Sequence, residues 1–309
     1  MDMFERKHIA PMLITQNQPP FDSMDFIFEL KLDGIRCIAY LDQTGTVLRN
    51  KRNKHLNDLY PELSHIHGQA RSRCILDGEL VIINEGKPDF FELQRRSLMS
   101  NKFKISLSAK KLPVCFTAFD ILYYENEQVT HRSLLERKEL LLKTVSESPA
   151  LAVSRYIETE GIALYNAAKY HELEGIVAKR KDSKYYPDTR TKDWIKCKAL
   201  LDEDFIVCGY FYNNNLASII LGSYKGNTLI YRSNVAMGVS RHDFHIISEQ
   251  QAVSKSFYYD FPEFEGAIWV LPVLVCTVKF MEYTPNGGLR QPVFKGLRED
   301  KSPKECVVL

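Results

Sequence analysis

The sequence has almost no net charge, no long apolar run and no paired cysteine motif. Its 41 lysines and arginines nearly balance 39 acidic residues, so composition alone does not predict a nucleic-acid partner. No stretch approaches the roughly 18 to 20 consecutive apolar residues of a transmembrane helix, and the charged amino terminus does not resemble a signal peptide. We therefore expect a cytoplasmic protein that does not bind membranes.

The seven cysteines are scattered and never form a C-x-x-C pair. A zinc site or a disulfide framework is therefore not expected, and we interpret the cysteines as reduced, mostly buried thiols. The pair His65 and His67 has no second ligand pair, which favours a surface or loop role over metal binding. A length of 309 residues with 45% hydrophobic side chains predicts two domains, each with its own core.

Short apolar and alternating segments fill the chain from Phe26 to Lys198, with two amphipathic helices among them. This pattern predicts an α+β domain of largely antiparallel sheets with flanking helices. One helix is predicted over 133–145, with a Ser133 and Glu136 capping box, and the other over 161–171. Their leucines and tyrosines are expected to be core, in the first helix as the stripe Leu134, Leu135, Leu141, Leu142 and Val145.

After Lys198 the pattern changes to alternating strands, at 205–212, 217–224, 228–232 and 271–281. A turn is predicted at 225–227 and a helix near 241–251. Short strands of this kind predict a small β-barrel of the OB-fold type. We place the domains at 1–200 and 201–309, with the short acidic tract 200–204 as a candidate hinge.

The segment 31–36, KLDGIR, follows an apolar strand predicted over 26–31. Asp33-Gly34 is a hairpin signal, so Lys31 is expected where the strand meets a turn. A lysine nucleophile must lose its proton, and a nearby positive charge lowers its pKa below the usual value of about 10.4. Arg36 is expected to supply such a charge. Taken alone, the segment also suits an ordinary surface hairpin.

Residue types downstream suit phosphate chemistry. Strand alternation puts Lys196 and Lys198 on one side of their strand, where two cations can face a single phosphate. Glu79 and Glu174 lie in apolar segments, so each carboxylate needs a cation or hydrogen-bond donors. The pair suits Mg²⁺, which prefers oxygen ligands, and structural ion pairs are the alternative.

Seven motifs occur in an order that is hard to produce by chance. They are the segment 31–36, Lys51-Arg52-Asn53, Asp77-Gly78-Glu79, Phe119-Asp120, 174–179, 194–198 and 290–301. In this order and spacing the chain resembles the ATP-dependent DNA ligases of the covalent nucleotidyltransferase superfamily, from about Glu29 to Lys301. The ending most resembles the ligase module of bacterial end-joining ligases. The resemblance implies a nucleotidyltransferase (adenylation) domain followed by an OB-fold, and we expect a stand-alone catalytic core.

The resemblance also implies a role for individual residues. Lys31 would attack ATP to form lysyl-AMP, and the AMP would pass to a DNA nick. Phe119 would stack on adenine, and Glu29 would lie near the edge of the base that distinguishes adenine from guanine. Lys196 and Lys198 would contact the α-phosphate. The remaining implied contacts are Arg36, Arg52 and Arg190 to ribose or phosphates, Glu174 to Mg²⁺, Glu79 to ribose or metal, and Arg290, Asp300 and Lys301 to pyrophosphate.

The expected partner is nicked double-stranded DNA, with help from a Ku-like or other repair protein. Basic clusters at 51–55, 71–73, 95–96, 102–104, 110–111 and 179–181 are candidate phosphate contacts, although each also suits a solvated face. We expect a monomer that associates with the nucleoid through DNA. The alternatives are an RNA ligase, a GTP-dependent capping enzyme, or a non-catalytic DNA-binding module that has kept the motifs as relics.

Overall fold

A computed structural model describes residues 2–199, 201–213, 216–258, 260–281, 283–284, 286–298 and 300–308. The chain divides into two compact units, residues 1–199 and residues 200–309. Within the described ranges, no helix is long and apolar enough to cross a membrane.

Unit 1 contains twelve strands and five helices within its described residues. The strands are β1 (Leu13–Asn17), β2 (Ser23–Leu30), β3 (Ile35–Asp42), β4 (Gly45–Asn50), β5 (Cys74–Asn84), β6 (Lys87–Pro88), β7 (Val114–Tyr124), β8 (Glu127–Gln128), β9 (Leu151–Val153), β10 (Tyr156–Thr159), β11 (Gly175–Arg180) and β12 (Arg190–Lys198). The helices are α1 (Met3–Arg6), α2 (Phe90–Ser97), α3 (Lys102–Lys111), α4 (Leu134–Thr144) and α5 (Gly161–Tyr170).

The strands of unit 1 form two sheets. One sheet has the order β1-β12-β11-β2-β10, and the other has the order β4-β3-β5-β7-β8 with β6 beside β5 and β9 beside β7. All pairs are antiparallel except β1 with β12 and β7 with β9. The prediction of largely antiparallel sheets is therefore confirmed.

A shared hydrophobic cluster joins the two sheets of unit 1. Ile27 and Trp194 come from the first sheet, and Ile38 and Phe119 come from the second. Burial of such side chains stabilises the folded unit by about 25 cal/mol per Å² of apolar surface removed from water. The shared cluster therefore holds the two sheets together. The charged groups described below lie around this cluster.

The two predicted helices exist as α4 and α5, and Ser133 and Glu136 form the capping box. The predicted apolar stripe of α4 was wrong at Leu142, whose side chain is 47% exposed. Leu142 follows the buried Leu141 and therefore points about 100° away from it around the helix. Tyr170 in α5 is also exposed. Helices α2 and α3 were not predicted, and in α3 the exposed Phe103 blurs the apolar periodicity.

The hairpin prediction at Asp33-Gly34 was wrong, because β2 and β3 belong to different sheets. The chain crosses from one sheet to the other between Leu30 and Ile35. Gly34 is required for a different reason: a Cβ there would lie 2.2 Å from the Leu80 carbonyl oxygen. The glycine therefore permits close backbone approach rather than a two-residue turn.

Unit 2 contains seven strands and one helix within its described residues. They are β13 (Leu201–Asn213), β14 (Leu216–Lys225), β15 (Thr228–Val235), α6 (Arg241–Ser248), β16 (Ala252–Val253), β17 (Ile268–Val270), β18 (Val275–Phe280) and β19 (Val293–Arg298). β13 pairs with β14, β17 and β18, so the sheet curls around it. The predicted turn at 225–227 joins β14 and β15.

Residues 201–204 of the proposed hinge tract begin β13 and pair with β18, whereas Leu200 lies outside the described residues. All seven cysteines are free, and six of them are buried. The interpretation of the cysteines as reduced, mostly buried thiols agrees with this arrangement.

Candidate active site

A cavity of about 110 Å³ lies in unit 1 beside the end of β2. Its walls contain four of the residues predicted to contact a nucleotide, together with the predicted nucleophile. These five are Glu29, Lys31, Arg36, Glu79 and Phe119. The remaining walls are mainly apolar and include Val177 and Trp194.

Backbone pairing places Lys31 level with the ends of β11 and β12. The Lys31 N–H donates to the Gly175 carbonyl at 2.9 Å, and Gly175 pairs with Lys198 on β12. Lys31 and Lys198 therefore flank Gly175, about two strand spacings or roughly 9–10 Å apart. A Cβ at Gly175 would lie 2.2 Å from the Cys197 carbonyl, and the φ of +128° also favours glycine.

The Lys31 amine forms an ion pair with Glu174, the residue before Gly175, at an Nζ–Oε1 distance of 2.6 Å. Burial would lower the pKa of Lys31, but the Glu174 carboxylate, with Glu79 and Asp33 farther away, raises it above its usual value. The expectation that Arg36 lowers this pKa was therefore wrong for this state. At neutral pH the amine is therefore an ammonium ion paired with Glu174.

Lys196 and Lys198 are half-buried, and their neighbours Ile195 and Cys197 are buried on the opposite face of β12, as predicted. Burial, together with the charges of Lys198 and Lys31, lowers the pKa of Lys196. A bound anion would relieve the repulsion that Lys198 and Lys31 exert on Lys196.

Arg36 is fixed by Asp77 rather than facing Lys31. Its Nε and Nη2 donate to the two Asp77 carboxylate oxygens, each at 2.6 Å, and the Tyr185 hydroxyl donates to the same carboxylate at 2.6 Å. The guanidinium carbon also lies 4.5 Å from the centre of the Phe119 ring. This bidentate pair holds Arg36 at the cavity wall.

Of the two carboxylates that line the cavity, Glu79 has its negative charge less well compensated by nearby cations. Burial raises its pKa to about 7, outweighing the opposing charges of Arg36 and Lys31. The pKa indicates that more positive charge would be needed to hold Glu79 ionised in neutral solution. A divalent cation would supply that charge, so Glu79 and the nearby Glu174 fit the predicted metal role.

Glu29 lies at the buried end of the cavity and is surrounded by donors. Its Oε1 is 2.6 Å from Lys138 Nζ and 3.0 Å from Lys179 Nζ, and its Oε2 accepts from the Ser154 hydroxyl at 2.7 Å. Lys179 also lies 4.4 Å from the Phe119 ring centre and 4.2 Å from a Trp194 ring centre. A carboxylate and aromatic rings therefore meet at this end of the cavity.

Four predicted nucleotide contacts, Arg52, Arg190, Lys196 and Lys198, are not among the cavity walls. Arg52 is exposed in the turn after β4, and its backbone N–H donates to the Asn50 side chain. Arg190 is exposed at the start of β12, although its charge contributes to the lowered pKa of Lys196. The structure brings neither guanidinium to the cavity.

The predicted pyrophosphate contacts lie in unit 2. Arg290 is exposed, and its carbonyl accepts from the Met281 N–H at 3.0 Å. Asp300 accepts from Arg298 Nε and Nη2, each at 2.7 Å, and Lys301 is ion-paired with Asp204 on β13. The hydrogen bonds from Arg298 hold the pKa of Asp300 at about 2. Arg290 and Asp300 are thus exposed and Lys301 is partly exposed, and Asp300 and Lys301 already have partners within unit 2.

Some basic side chains expected to contact phosphates have structural roles instead. Arg96 is fully buried and donates to both oxygens of Glu62, and Lys179 is buried against Glu29. Of the two histidines predicted to have a surface or loop role, His65 is exposed, whereas His67 is partly buried and interacts with the Thr46 hydroxyl at 3.1 Å. Clusters of lysine and arginine in the sequence therefore overestimate the number of basic side chains that are exposed to bind phosphates.

Sequence reasoning missed Lys138, Ser154 and Lys179 as partners of Glu29. A signal existed for Lys138, because it lies four residues after Leu134 and three before Leu141, within the buried stripe of α4. A lysine at such a position requires a buried anion. No local pattern marks Ser154, whose position depends on the chain after β9.

The cavity therefore combines the Lys31 amine with the Glu79 carboxylate. Outside its walls, Glu174 contacts Lys31, and Lys196 and Lys198 lie on β12. The cavity walls also contain two aromatic side chains, Phe119 and Trp194, and the buried Glu29 carboxylate, which can accept a hydrogen bond from the edge of a ring-shaped ligand. This combination suits attack of the Lys31 amine on a phosphorus atom whose developing charge the lysines stabilise.

Comparisons with known families agree with this chemistry. The family model described as ATP dependent DNA ligase domain matches residues 11–198. The model described as ATP dependent DNA ligase C terminal region matches residues 213–301.

Related proteins and structures extend over most of the chain. It is 28% identical to the multifunctional non-homologous end joining DNA repair protein LigD of Mycobacterium tuberculosis, over 99% of this chain and 40% of that protein. It is 30% identical to the SPbeta prophage-derived DNA ligase-like protein LigB of Bacillus subtilis, over 94% of this chain and 99% of that protein. The chain thus spans less than half of its LigD relative.

A solved structure titled mycobacterial DNA ligase D complexed with ATP and MES is similar over the full length of both chains, with a TM-score of 0.78 and 26% identity. With the two family models, this likeness confirms the predicted fold class, a nucleotidyltransferase domain followed by an OB-fold.

Proposed function

The chain belongs to the ATP-dependent DNA ligase family, and from this premise we propose that it seals nicks between 3′-hydroxyl and 5′-phosphate ends in end-joining repair. The reaction would have three displacements. Lys31 attacks the α-phosphorus of ATP and releases pyrophosphate, the 5′-phosphate of the nick attacks the resulting lysyl-AMP, and the 3′-hydroxyl then displaces AMP. Covalent catalysis divides one difficult substitution into steps with better leaving groups.

The observation that carries this proposal is the position of Lys31 at the end of β2, in contact with Glu174 and two strands away from the amines of β12. The Glu174 carboxylate is ion-paired with Lys31 at an Nζ–Oε1 distance of 2.6 Å, and Lys196 and Lys198 share the strand next to Gly175. An arriving triphosphate would be attracted by the two β12 amines. We infer that these amines stabilise the negative charge that develops on the α-phosphate.

We assign the nucleotide contacts to residues that line the cavity. Phe119 would stack on adenine, Glu29 would face the base edge, and Arg36 would contact ribose or phosphate. Arg52 and Arg190 lie outside the cavity walls, so we propose that they contact the 5′-phosphate of the nick. Residues 1–200 would form the adenylation domain, and residues 201–309 would form the OB-fold domain.

Glu79 and Glu174 would hold Mg²⁺, which supplies charge neutralisation at the nucleotide phosphates when it is bound. The described residues contain no group of three or more His, Cys, Asp or Glu side chains able to hold a metal ion. Phosphate and water oxygens would therefore complete the coordination, as is usual for Mg²⁺ with nucleotides. Binding of a cation at Glu174 would compete with its ion pair to Lys31.

Unit 2 would contribute Arg290, Asp300 and Lys301, which we propose orient the pyrophosphate leaving group. The junction between the two units, rather than residues 201–204, which pair with β18, would act as the hinge that allows these residues to reach the nucleotide. The proposed substrate is nicked double-stranded DNA, and we further propose a monomer that is recruited by a Ku-like or other repair partner and associates with the nucleoid through DNA.

The test is transfer of label from α-labelled ATP to the protein in Mg²⁺, followed by a chase with nicked DNA. We expect the wild type to become labelled and nicked DNA to discharge the label. Lys31→Ala should lose labelling by a factor on the order of 10³ or more. Lys143→Ala is the matched control, because Lys143 is exposed in α4 and its ion pair with Glu139 is on the surface.

The same assay separates the alternatives. Labelling from GTP instead of ATP would move the assignment to a capping enzyme, and discharge by nicked RNA alone would indicate an RNA ligase. No labelling from either nucleotide, in a folded protein stripped of pre-bound AMP, would indicate a non-catalytic DNA-binding module.

A further inference from the structure

The carboxylate of Glu29 is held unequally by its neighbours. Its Oε1 is contacted by two ammonium groups, Lys138 at 2.6 Å and Lys179 at 3.0 Å, whereas its Oε2 accepts from Ser154 at 2.7 Å. Glu29, Ser154 and Lys179 line the cavity, and Lys138 does not. Two cations therefore contact Oε1, whereas Oε2 accepts from the neutral hydroxyl of Ser154.

The three charged groups are almost completely buried. The Lys138 side chain is 1% exposed, and those of Glu29 and Lys179 are 3% and 4% exposed. They come from three different elements: β2 carries Glu29, α4 carries Lys138 and β11 carries Lys179. A buried site with two cations for one anion is costly to maintain, so it needs a reason beyond stability.

We propose that Lys138 is a specificity-determining positioning residue: by occupying Glu29 Oε1 together with Lys179, it leaves a single carboxylate oxygen to select adenine over guanine. The proposal rests on the proposed function, in which Glu29 faces the base. Lys138 would act through Glu29 without touching the nucleotide.

The chemistry of the two bases explains the selection. Adenine presents a 6-amino donor, which one carboxylate oxygen or the Ser154 hydroxyl oxygen can accept. Guanine presents O6, an acceptor, at that position, and its N1–H and 2-amino donors would pair best with both oxygens of a carboxylate. Because the two lysines cover Oε1, the paired contact to guanine is blocked and its O6 faces acceptors.

The charge balance supports the same arrangement. Burial would raise the pKa of Glu29, but Lys138 and Lys179 lower it below the usual value, so Glu29 stays an acceptor. The facing groups are Lys138 on α4, Lys179 on β11 and the Ser154 hydroxyl after β9. Without Lys138, a protonated Glu29 could donate to guanine O6, which would weaken the discrimination further.

The experiment measures kcat/KM for protein labelling by α-labelled ATP and by α-labelled GTP. In Lys138→Met, the ATP-to-GTP ratio should fall at least about tenfold, because guanine could then form a hydrogen bond with Glu29 that Lys138 now prevents. The change in each kcat/KM should appear in KM rather than kcat, since the base does not react. Lys138→Arg should restore most of the ratio. Lys143→Met, at an exposed lysine of the same helix, should keep it.

A wild-type experiment covers the case in which Lys138→Met does not fold. The triphosphate of purine riboside lacks the 6-amino group, and the wild type should use it at least about tenfold less well than ATP. Equal use of the two nucleotides would overturn the proposal. So would a folded Lys138→Met with the wild-type ATP-to-GTP ratio. Wild-type protein that is not labelled by ATP, or labelling that survives Lys31→Ala, would instead overturn the proposed function.

Discussion

Charged residues are used differently in the two units. In unit 1 the ion pairs around the cavity are buried, as in Glu29 with Lys138 and Lys179. In unit 2 the side chains of Arg298, Asp300 and Lys301 are 34%, 64% and 33% exposed, and each residue has a partner. Buried pairs set pKa values and geometry, and removing one partner is expensive. Exposed pairs contribute little to stability and can exchange partners for a substrate phosphate.

The largest expected effect tests the buried side of this comparison. Arg137 and Asp120 form a fully buried bidentate pair, with both distances 2.8 Å. Arg137→Leu should lower the free energy of unfolding of unit 1 by about 3–5 kcal/mol, because it leaves a buried carboxylate unpaired. Urea unfolding in a Trp269→Phe background measures this, since Trp194 then reports on unit 1 alone. A loss below about 1 kcal/mol would contradict the contrast between the units.

The next effect concerns the protonation of the nucleophile. Glu174→Gln should slow labelling by ATP roughly a hundredfold, because it removes a proposed metal ligand. It also removes the charge that raises the pKa of Lys31, so that pKa should fall. Attack needs the neutral amine, so the rate rises with pH and levels off above the Lys31 pKa, and it should level off at lower pH in the variant.

The pH profile of labelling checks this shift. Glu172→Gln is the matched control, because Glu172 is exposed and its partner is Lys87. A profile for Glu174→Gln that is unchanged, or displaced to higher pH, would show that Glu174 does not govern the Lys31 proton.

A smaller effect is expected in unit 2. Lys301→Ala should slow labelling by ATP roughly tenfold, through a lost phosphate contact, and leave sealing of a pre-adenylated nick unchanged. Lys304→Ala, at an exposed lysine three residues later, is the control. Equal losses in both steps would argue against a role confined to the pyrophosphate.

The smallest effect tests the exposed side of the comparison. Arg298→Leu removes the bidentate partner of Asp300, yet the free energy of unfolding of unit 2 should change by less than about 1 kcal/mol. Urea unfolding in a Trp194→Phe background reports on unit 2 through Trp269. A loss comparable to that of Arg137→Leu would remove the distinction between the two units.

The fold class and the residues of the cavity could be predicted because motif order and strand alternation carry that information. Alternation placed Lys196 and Lys198 together, and the capping box located α4. The partners of these residues could not be predicted, because they depend on contacts distant in sequence. Arg36 pairs with Asp77 rather than influencing Lys31, and Asp33-Gly34 crosses between sheets although the dipeptide is typical of a hairpin.

The most direct test of the account is identification of the adenylated residue by mass spectrometry of peptides from protein labelled with ATP. Two lysines that line the cavity have shifted pKa values: Lys31, whose pKa is raised by Glu174, and Lys179, whose burial lowers its pKa to about 8. The account predicts AMP on Lys31 alone. AMP on Lys179, with Lys31 unmodified, would contradict it.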